Sequence, residues 1–134
     1  MNDFLKNDDV GKLILRLTLG ILMLFHGVSK FQRPGTVEYI ADNLSSSGWP
    51  PIFANGVYFG EILAPALIVL GVFTRYSAVV IIINMLFAIL LVHSADVFSL
   101  TQHGGWRLEL QGFYLFGALA IVFLGSGNHA LIPD

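Results

Sequence analysis

The sequence predicts an all-α protein that spans a membrane as an up-and-down four-helix bundle, with a short interfacial helix in its first loop. Of its 134 residues, 55 % are hydrophobic and only 12 % are charged, whereas a soluble domain carries about 25 % charged residues. Four long apolar segments follow one another, and about twenty apolar residues cross the ~30 Å hydrocarbon core of a bilayer. Turn-forming residues separate the segments. We therefore expect a multi-pass membrane protein.

The composition also limits the chemistry of the protein. It contains no cysteine, which excludes thiolate nucleophiles, disulfide exchange and cysteine-ligated iron–sulfur clusters. Its net charge of −2 argues against a nucleic-acid partner. We expect one domain over residues 1–134 and no metal site. The first apolar segment lacks a small-x-small cleavage pattern, so we expect a permanent helix rather than a signal peptide.

The first span, residues 13–31, carries three ionisable residues. At about 100° per residue, Arg16 and Lys30 lie within about 40° of one line along the helix. Charged groups inside a span are costly unless they face protein or a polar cavity, so this line should face the bundle, with Arg16 in a structural role. Alternatively, Arg16 and Lys30 extend to the two interfaces, but this does not explain His26, which lies one turn deeper than Lys30. The same line contains Gly20, Met23 and Gly27, and the glycines should allow a close helix approach.

The second span, residues 52–73, contains a carboxylate next to a helix breaker. Pro65 cannot donate a hydrogen bond to the carbonyl of Glu61, so we expect a kink with a free acceptor. A carboxylate at such a place indicates function. Before this span, a break at residues 32–36 precedes an amphipathic pattern, which is too short to cross a bilayer. We expect residues 36–51 to form a mobile interfacial lid.

The third and fourth spans carry fewer polar residues. A very short turn containing Arg75 should make spans two and three an antiparallel pair. The third span, residues 76–92, has Asn84 in its middle, and we assign both Arg75 and Asn84 structural roles, the asparagine as an interhelical hydrogen-bonding group. The fourth span, residues 107–124, carries Glu109 in its first turns, where an acidic residue also suits a helix N-terminus.

Alternating helix direction places the functional candidates in one half of the bundle. We predict that Lys30, Glu61 and Glu109 line one polar cavity and that His26 reaches the same space. Because two carboxylates in one cavity repel each other, either Lys30 lies between them or one of them holds its proton. Loops collect polar residues in any case, and this alternative stays open for His93. The candidate catalytic residues are Glu61, Lys30 and His26, and the candidate substrate-binding residues are Lys30, Glu61, Glu109, His93 and Trp106.

Several short motifs are spread over nearly the whole chain. They are His26-Gly27-x-x-Lys30, Gly60-Glu61, Leu70-Gly71-x-x-Thr74-Arg75, Glu109 and Gly125-x-Gly127. Their joint spacing resembles the DoxX family of small four-helix bacterial membrane proteins. The chain departs from the family at its tail, Ala130–Asp134, where the family often has Ser-Leu-Asp. The family takes its name from a membrane subunit of a thiosulfate:quinone oxidoreductase, and other members are associated with redox-stress complexes, so the resemblance implies an inner-membrane location and an oxidoreductase role.

Two functional hypotheses remain open. In the first, the protein is a membrane subunit in quinone-linked oxidoreduction, in which His26 and Lys30 donate hydrogen bonds and Glu61 relays protons. Since the chain shows no flavin or nucleotide motif, a soluble oxidoreductase partner or a bound substrate would supply the electrons. In the second, it is a non-enzymatic small-solute carrier or an assembly partner for a soluble redox enzyme. We do not favour haem ligation by His26 and His93, whose depths differ, and we expect no covalently bound cofactor.

The orientation in the membrane is nearly balanced by charge. The basic residues that flank the spans divide evenly between the two sides. The positive-inside rule is therefore nearly tied, and we lean slightly towards cytoplasmic termini. The side of the termini has Lys6, Lys12 and Arg75, and the opposite side has Lys30, Arg33 and Arg107.

Overall fold

The computed structural model describes residues 3–33 and 35–134, and these residues form five helices joined by turns. The all-helical prediction is confirmed for this part of the chain. Pro34, in the predicted break, lies outside the described residues. The helices are α1 (Asp8–Gln32), α2 (Gly35–Ser46), α3 (Pro51–Leu70), α4 (Thr74–Leu91) and α5 (Glu109–Leu124).

Helices α1, α3 and α4 are long and apolar enough to cross a membrane. Helix α5 has 16 residues, which makes it about 24 Å long at 1.5 Å per residue. It packs extensively along α4, and the two helices are antiparallel because the Arg75 side chain at the start of α4 reaches the Val122 carbonyl near the end of α5. The arrangement agrees with the predicted up-and-down bundle, with α2 as an additional short helix.

The structure shifts two predicted boundaries. Helix α3 ends at Leu70 instead of residue 73, because Gly71 adopts a left-handed conformation with φ of 76° and closes the helix by donating to the carbonyls of Leu67 and Ile68. A side chain at Gly71 would overlap Ala130 and Arg16. The turn therefore occupies residues 71–73, and α4 begins at Thr74, two residues earlier than expected.

The expected kink before Pro65 takes the form of a π-helical turn, Phe59–Leu63. The Ala64 N–H bonds to the carbonyl of Phe59, five residues back, which is the hydrogen bond of a π-helix. Helix α1 lies directly against this turn, because a Cβ atom at Gly27 would overlap the carbonyl of Glu61. The predicted close approach at the α1 glycines is thus confirmed.

The core lies between α1, α3, α4 and α5, and the outer faces are apolar. Phe113 and Phe123 on α5 are 80 % and 77 % exposed, as expected for side chains that contact lipid acyl chains. A second, smaller apolar cluster lies beneath α2 and contains Val37, Leu44 and Ala54. The main core contains Leu19, Met23, Ile68, Ile81, Met85, Ala118 and Ile121.

Candidate functional site

A buried ion pair forms the centre of the candidate site. The Nζ atom of Lys30 lies 2.6 Å from both carboxylate oxygens of Glu61. Glu61 is only 4 % exposed, and the Lys30 side chain is 23 % exposed. Asn84 completes the group, with its Nδ2 3.5 Å from the Oε1 of Glu61. An ammonium group and a neutral amide N–H therefore hold one carboxylate inside the apolar bundle.

Local features of three helices place these side chains. Glu61 lies in the π-helical turn of α3, and Gly27 brings α1 against that turn. Lys30, in the last turn of α1, therefore extends its amine along the same side as Glu61. On α3 the neighbouring Gly60 faces α4, where a Cβ atom would lie 2.5 Å from the side chain of Asn84. The pair thus sits where three helices are in close contact.

A cavity of about 470 Å³ begins at this group, within the range of small-molecule sites in proteins, about 300–1,000 Å³. It lies between α3 and α4 and is covered at the loop end by α2. Away from Lys30, Glu61 and Asn84 its wall is largely apolar. The other lining residues are Thr36, Tyr39, Ile40, Leu44, Trp49, Phe53, Gly56, Val57, Val80, Ile83, Phe87, Ala88, Leu91, Val92 and His93.

His93 lies at the loop end of this cavity. Its Nδ1 is 3.6 Å from Oδ2 of Asp96, and the Nε of Arg107 is 3.8 Å from Oδ1 of the same carboxylate. All three side chains are partly or fully exposed. The predicted substrate-binding residue His93 therefore borders the cavity, within a small charged group at the membrane surface.

Two other predicted site residues, Glu109 and Trp106, do not line the cavity. Glu109 is exposed, and the prediction that it shares a cavity with Lys30 and Glu61 is wrong. The Trp106 indole donates to the carbonyl of Val97 at 2.7 Å and so closes the loop between α4 and α5. Both residues lie on the side of the bundle formed by α5, which contributes nothing to the cavity wall.

His26 is also outside the cavity. It is exposed and packs edge-on against the Tyr114 ring of α5, with the ring centroids 5.8 Å apart. Its position on α1, about 80° from the line through Arg16 and Lys30 at 100° per residue, turns it towards α5. The prediction that His26 reaches the space around Lys30 is therefore wrong. Of the two histidines, His93 borders the cavity and His26 does not.

Arg16 occupies the opposite end of the bundle and is 1 % exposed. Its guanidinium donates to four backbone carbonyls at 2.8 to 3.1 Å. Two of these, Ile68 and Val69, belong to the last turn of α3, where carbonyls lack helical partners. The other two belong to the tail, at Ser126 and His129. Arg16 thus joins the end of α3 to the tail.

Sequence reasoning missed the ordered role of the tail. The N–H groups of Leu131 and Ile132 donate to the carbonyls of Leu70 and Gly71. The Asp134 carboxylate accepts from the backbone N–H groups of Arg75 and Ser126. Although the sequence departs from the family pattern in this segment, its final aspartate still accepts hydrogen bonds, and the segment closes the end opposite the cavity.

Asn84 is the second residue whose place the sequence did not indicate clearly. We expected an interhelical role for it, and it does face α3, but it also borders the cavity beside Glu61. The sequence did contain a signal for this contact. In a pair of antiparallel helices, two residues that are about equally far from the connecting turn lie side by side at the same depth in the bundle. Glu61 and Asn84 satisfy this relation about the turn at residues 71–73.

Within residues 3–33 and 35–134, no group of three histidine, aspartate or glutamate residues is arranged to hold a metal ion. The cavity itself offers a hydrogen-bonded carboxylate, an amine and an amide in apolar surroundings. Such a group can bind a polar headgroup and exchange protons with it.

These features define a small multi-pass membrane protein with a ligand-sized cavity in one half of its bundle. The chain belongs to the DoxX family, whose model matches residues 11–94. This range includes Lys30, Glu61, Asn84 and His93. One curated relative, “Putative oxidoreductase CatD” of Bacillus subtilis (strain 168), is 32 % identical over 129 residues, which cover 96 % of this chain and 89 % of the relative.

A second relative is similar over most of its length. It is an uncharacterized protein of Haemophilus influenzae, 31 % identical over 120 residues, which cover 87 % of this chain and 84 % of the relative. No solved structure matches the chain. The comparisons therefore give the family, and the name of one relative points to oxidoreduction.

Proposed function

We propose that the protein is a membrane subunit in quinone-linked oxidoreduction and that the cavity at Lys30 and Glu61 binds the quinone headgroup. The observation that carries this proposal is a buried ion pair in an otherwise apolar cavity of about 470 Å³. A quinone has a flat apolar ring with two carbonyl acceptors. It therefore needs apolar walls and a few donors, which this cavity offers.

The residues of the cavity have distinct tasks in this proposal. A quinone accepts two electrons and two protons when it becomes a quinol. The Lys30 amine donates to one quinone carbonyl oxygen, and the Asn84 amide provides a second donor. Glu61 holds the amine in place at 2.6 Å and can carry a proton between the headgroup and the aqueous side. His93, at the loop end of the cavity, is partly exposed and can pass protons between water and the cavity.

The electrons come from a reduced substrate or from a soluble oxidoreductase partner. The chain shows no flavin or nucleotide motif, so we assign the quinone-reactive step to this subunit and the primary oxidation to the partner. The oxidoreductase name of the Bacillus subtilis relative supports an oxidoreductase role.

The proposed location is the bacterial inner membrane with the termini in the cytoplasm. Lys6, Lys12 and Arg75 lie at the end of the termini, and Lys30 at the other end is engaged with Glu61. This leaves Arg33 and Arg107 as the remaining basic residues near the cavity end. Two fusions after residue 134, one with alkaline phosphatase and one with a fluorescent protein, test the orientation. A fluorescent second fusion together with an inactive phosphatase fusion supports cytoplasmic termini, and the reverse result overturns them.

Quinone binding by the purified protein tests the proposed function. Trp49 lines the cavity, so a bound quinone should quench its fluorescence in the variant Trp106→Phe, which leaves one tryptophan. In lipid nanodiscs, decyl-ubiquinone should quench Trp49 saturably. Lys30→Met and Glu61→Gln should each weaken binding at least 10-fold, which corresponds to about 1.4 kcal/mol.

The matched control is Arg33→Met, which removes an exposed basic residue near Lys30 and should leave binding unchanged. Saturable quenching that is equal in all variants would place the quinone elsewhere. Absence of quinone binding, together with binding of a small anionic solute that depends on Lys30, would favour the non-enzymatic carrier instead.

A further inference from the structure

Three residues of α4 belong to the cavity wall and to the outer surface at the same time. Val80, Ile83 and Phe87 line the cavity, yet they are 39 %, 50 % and 44 % exposed. With spacings of three and four residues they form one stripe along the helix. Because these side chains keep accessible area while they line the cavity, protein does not close the cavity along this stripe.

The position of the stripe along α4 sets its depth in the membrane. Helix α4 has 18 residues, about 27 Å at 1.5 Å per residue, close to the ~30 Å hydrocarbon core. Val80 and Ile83 lie in its middle part, and Asn84 follows on the same stripe. The opening therefore lies at the level of the acyl chains, on the same level as the polar group at Glu61.

The loop end of the cavity differs in its covering: it is lined by aromatic side chains, with Trp49 and Phe53 46 % and 55 % exposed. Helix α2 covers it and buries Leu44 against the start of α3. The Trp49 ring packs against Phe53 and Phe87, with centroids 6.2 Å and 6.1 Å apart. An aqueous solute would have to pass this aromatic group, whereas a solute in the bilayer meets aliphatic side chains at Val80 and Ile83.

We infer that the ligand enters the cavity sideways from the bilayer, through a lateral opening formed by Val80, Ile83 and Phe87, and that it is an amphipathic molecule with a long apolar tail. Its headgroup lies at Lys30, Glu61 and Asn84, and its tail leaves between the α4 side chains into lipid. The inference rests on the proposed function for the identity of the headgroup. The route of entry and the tail follow from the wall of the cavity itself.

A matched pair of variants tests the opening. Val80→Phe adds a ring at the opening, whereas Val79→Phe adds the same ring to a neighbouring residue of similar exposure, 42 %, which is outside the cavity lining. Two quinones with the same ring are compared by quenching of Trp49 in nanodiscs, one with a decyl tail and one without a tail. We expect Val80→Phe to weaken binding of the decyl quinone at least 5-fold and to change binding of the tail-less quinone less than 2-fold. Val79→Phe should affect neither.

A second measurement needs no quinone. The chain has no cysteine, so Val57→Cys, on the α3 wall of the cavity, accepts a nitroxide spin label without background. In nanodiscs the label should collide more often with oxygen, which concentrates in the acyl chains, than with a charged nickel chelate in water. Val80→Phe should lower the oxygen collision rate at least two-fold, and Val79→Phe should not.

The two measurements separate the inference from the proposed function. If no quinone binds but oxygen reaches the label through the opening, the lateral entry stands and the quinone assignment fails. If quinone binds but nickel collisions dominate and Val80→Phe changes neither readout, the ligand enters from water and the inference is overturned. Equal effects of Val80→Phe and Val79→Phe would also overturn it.

Discussion

The two ends of the bundle each receive a basic side chain from α1, and they hold it in different ways. Arg16 is bound by four backbone carbonyls of α3 and the tail. Lys30 is bound by the side chain of Glu61 and borders a cavity. Backbone carbonyls are fixed by the fold, so the Arg16 end is a permanent structural joint. A side-chain carboxylate beside free space can exchange partners, so the Lys30 end can bind a ligand.

Two glycines of α1 set how closely this helix approaches α3. A Cβ atom at Gly20 would lie 2.5 Å from the Val69 side chain and 2.9 Å from the carbonyl oxygen of Pro65. Gly27 lies against the backbone of the π-helical turn, at the carbonyl of Glu61. The contact at Gly27 fixes the height of the functional carboxylate relative to Lys30.

The largest effect should follow from removing the Arg16 joint. Arg16→Met removes the guanidinium donor of four carbonyls. Ile68 keeps the Gly71 N–H, but the buried Ser126 carbonyl loses its donor, and an unsatisfied buried acceptor costs about 1–3 kcal/mol. We expect a loss of about 3 kcal/mol or more in the free energy of unfolding, measured by denaturant titration in mixed micelles. Arg16→Lys should recover only part, because an ammonium cannot reproduce the planar fork of five donors.

The control for this comparison is Arg33→Met, since Arg33 is exposed. Surface substitutions of this kind usually change stability by less than about 0.5 kcal/mol. Equal stabilities of the Arg16→Met and Arg33→Met proteins would show that the joint contributes nothing to folding.

The next largest effect concerns the contact between α1 and the π-helical turn. Gly27→Ala places a methyl group onto the Glu61 carbonyl, so α1 must move, and overpacking of this kind costs about 1–3 kcal/mol. We expect about 2 kcal/mol and weaker quinone binding. Gly11→Ala in the same helix meets nothing within 4 Å and should stabilise the protein by up to about 1 kcal/mol. A neutral Gly27→Ala would mean that the close approach is not needed.

The ion pair should show an intermediate effect and strong coupling. Glu61→Gln or Lys30→Met leaves one charge unpaired in a medium of low dielectric, which is costlier than losing both. Because Lys30 keeps some exposure, we expect about 1–2 kcal/mol for each single variant. The double variant should recover part of that loss, as measured in a double-mutant cycle. Strictly additive losses would show that the two charges do not depend on each other.

The smallest effect is on the rate of proteolysis. It compares the α2 segment, which covers the cavity, with the tail, which closes the opposite end of the bundle. Residues 45–50, which include the last two residues of α2, are exposed, and the serine-rich segment before Gly48 gives hinge freedom. The tail is instead tied to Leu70 and Gly71 by backbone hydrogen bonds. Limited proteolysis in proteoliposomes should cut first near residues 45–50, and decyl-ubiquinone should slow that cut several-fold. First cleavage in the tail, or full resistance near residues 45–50 with and without quinone, would show that α2 does not control access of the ligand to the cavity.

The sequence predicted the axial arrangement well. The stripe through Arg16, Met23 and Lys30 does face the bundle, and the first two residues are almost fully buried. The boundaries of the helices differ from the prediction by a few residues, mainly because the glycine at position 71 ends α3 early. The pairing of Lys30 with Glu61, predicted from their shared half of the bundle, is found at 2.6 Å. Apolar length and helix period were enough for these results.

The predictions that were wrong have one cause. Glu109 and His26 lie in the expected half of the bundle, but on the side of α5 and away from the cavity between α3 and α4. Connectivity and residue count fix the level of a side chain along the membrane normal. They do not fix its position around the bundle axis, because this depends on which helices become neighbours.

The sequence by itself therefore determined that this is a helical membrane protein, which side chains share a half of the bundle, and that Lys30 and Glu61 had to be paired. The tertiary structure decided that the cavity opens between α3 and α4, that Asn84 borders it in place of Glu109, and that the tail closes the other end. The physical reason is that burial and backbone hydrogen bonding depend on the residues of each single helix, so the pattern of apolar and polar residues predicts them. Packing around the axis depends on close contacts such as Gly27 against Glu61 and Gly60 against Asn84, which exist only once the helices have met.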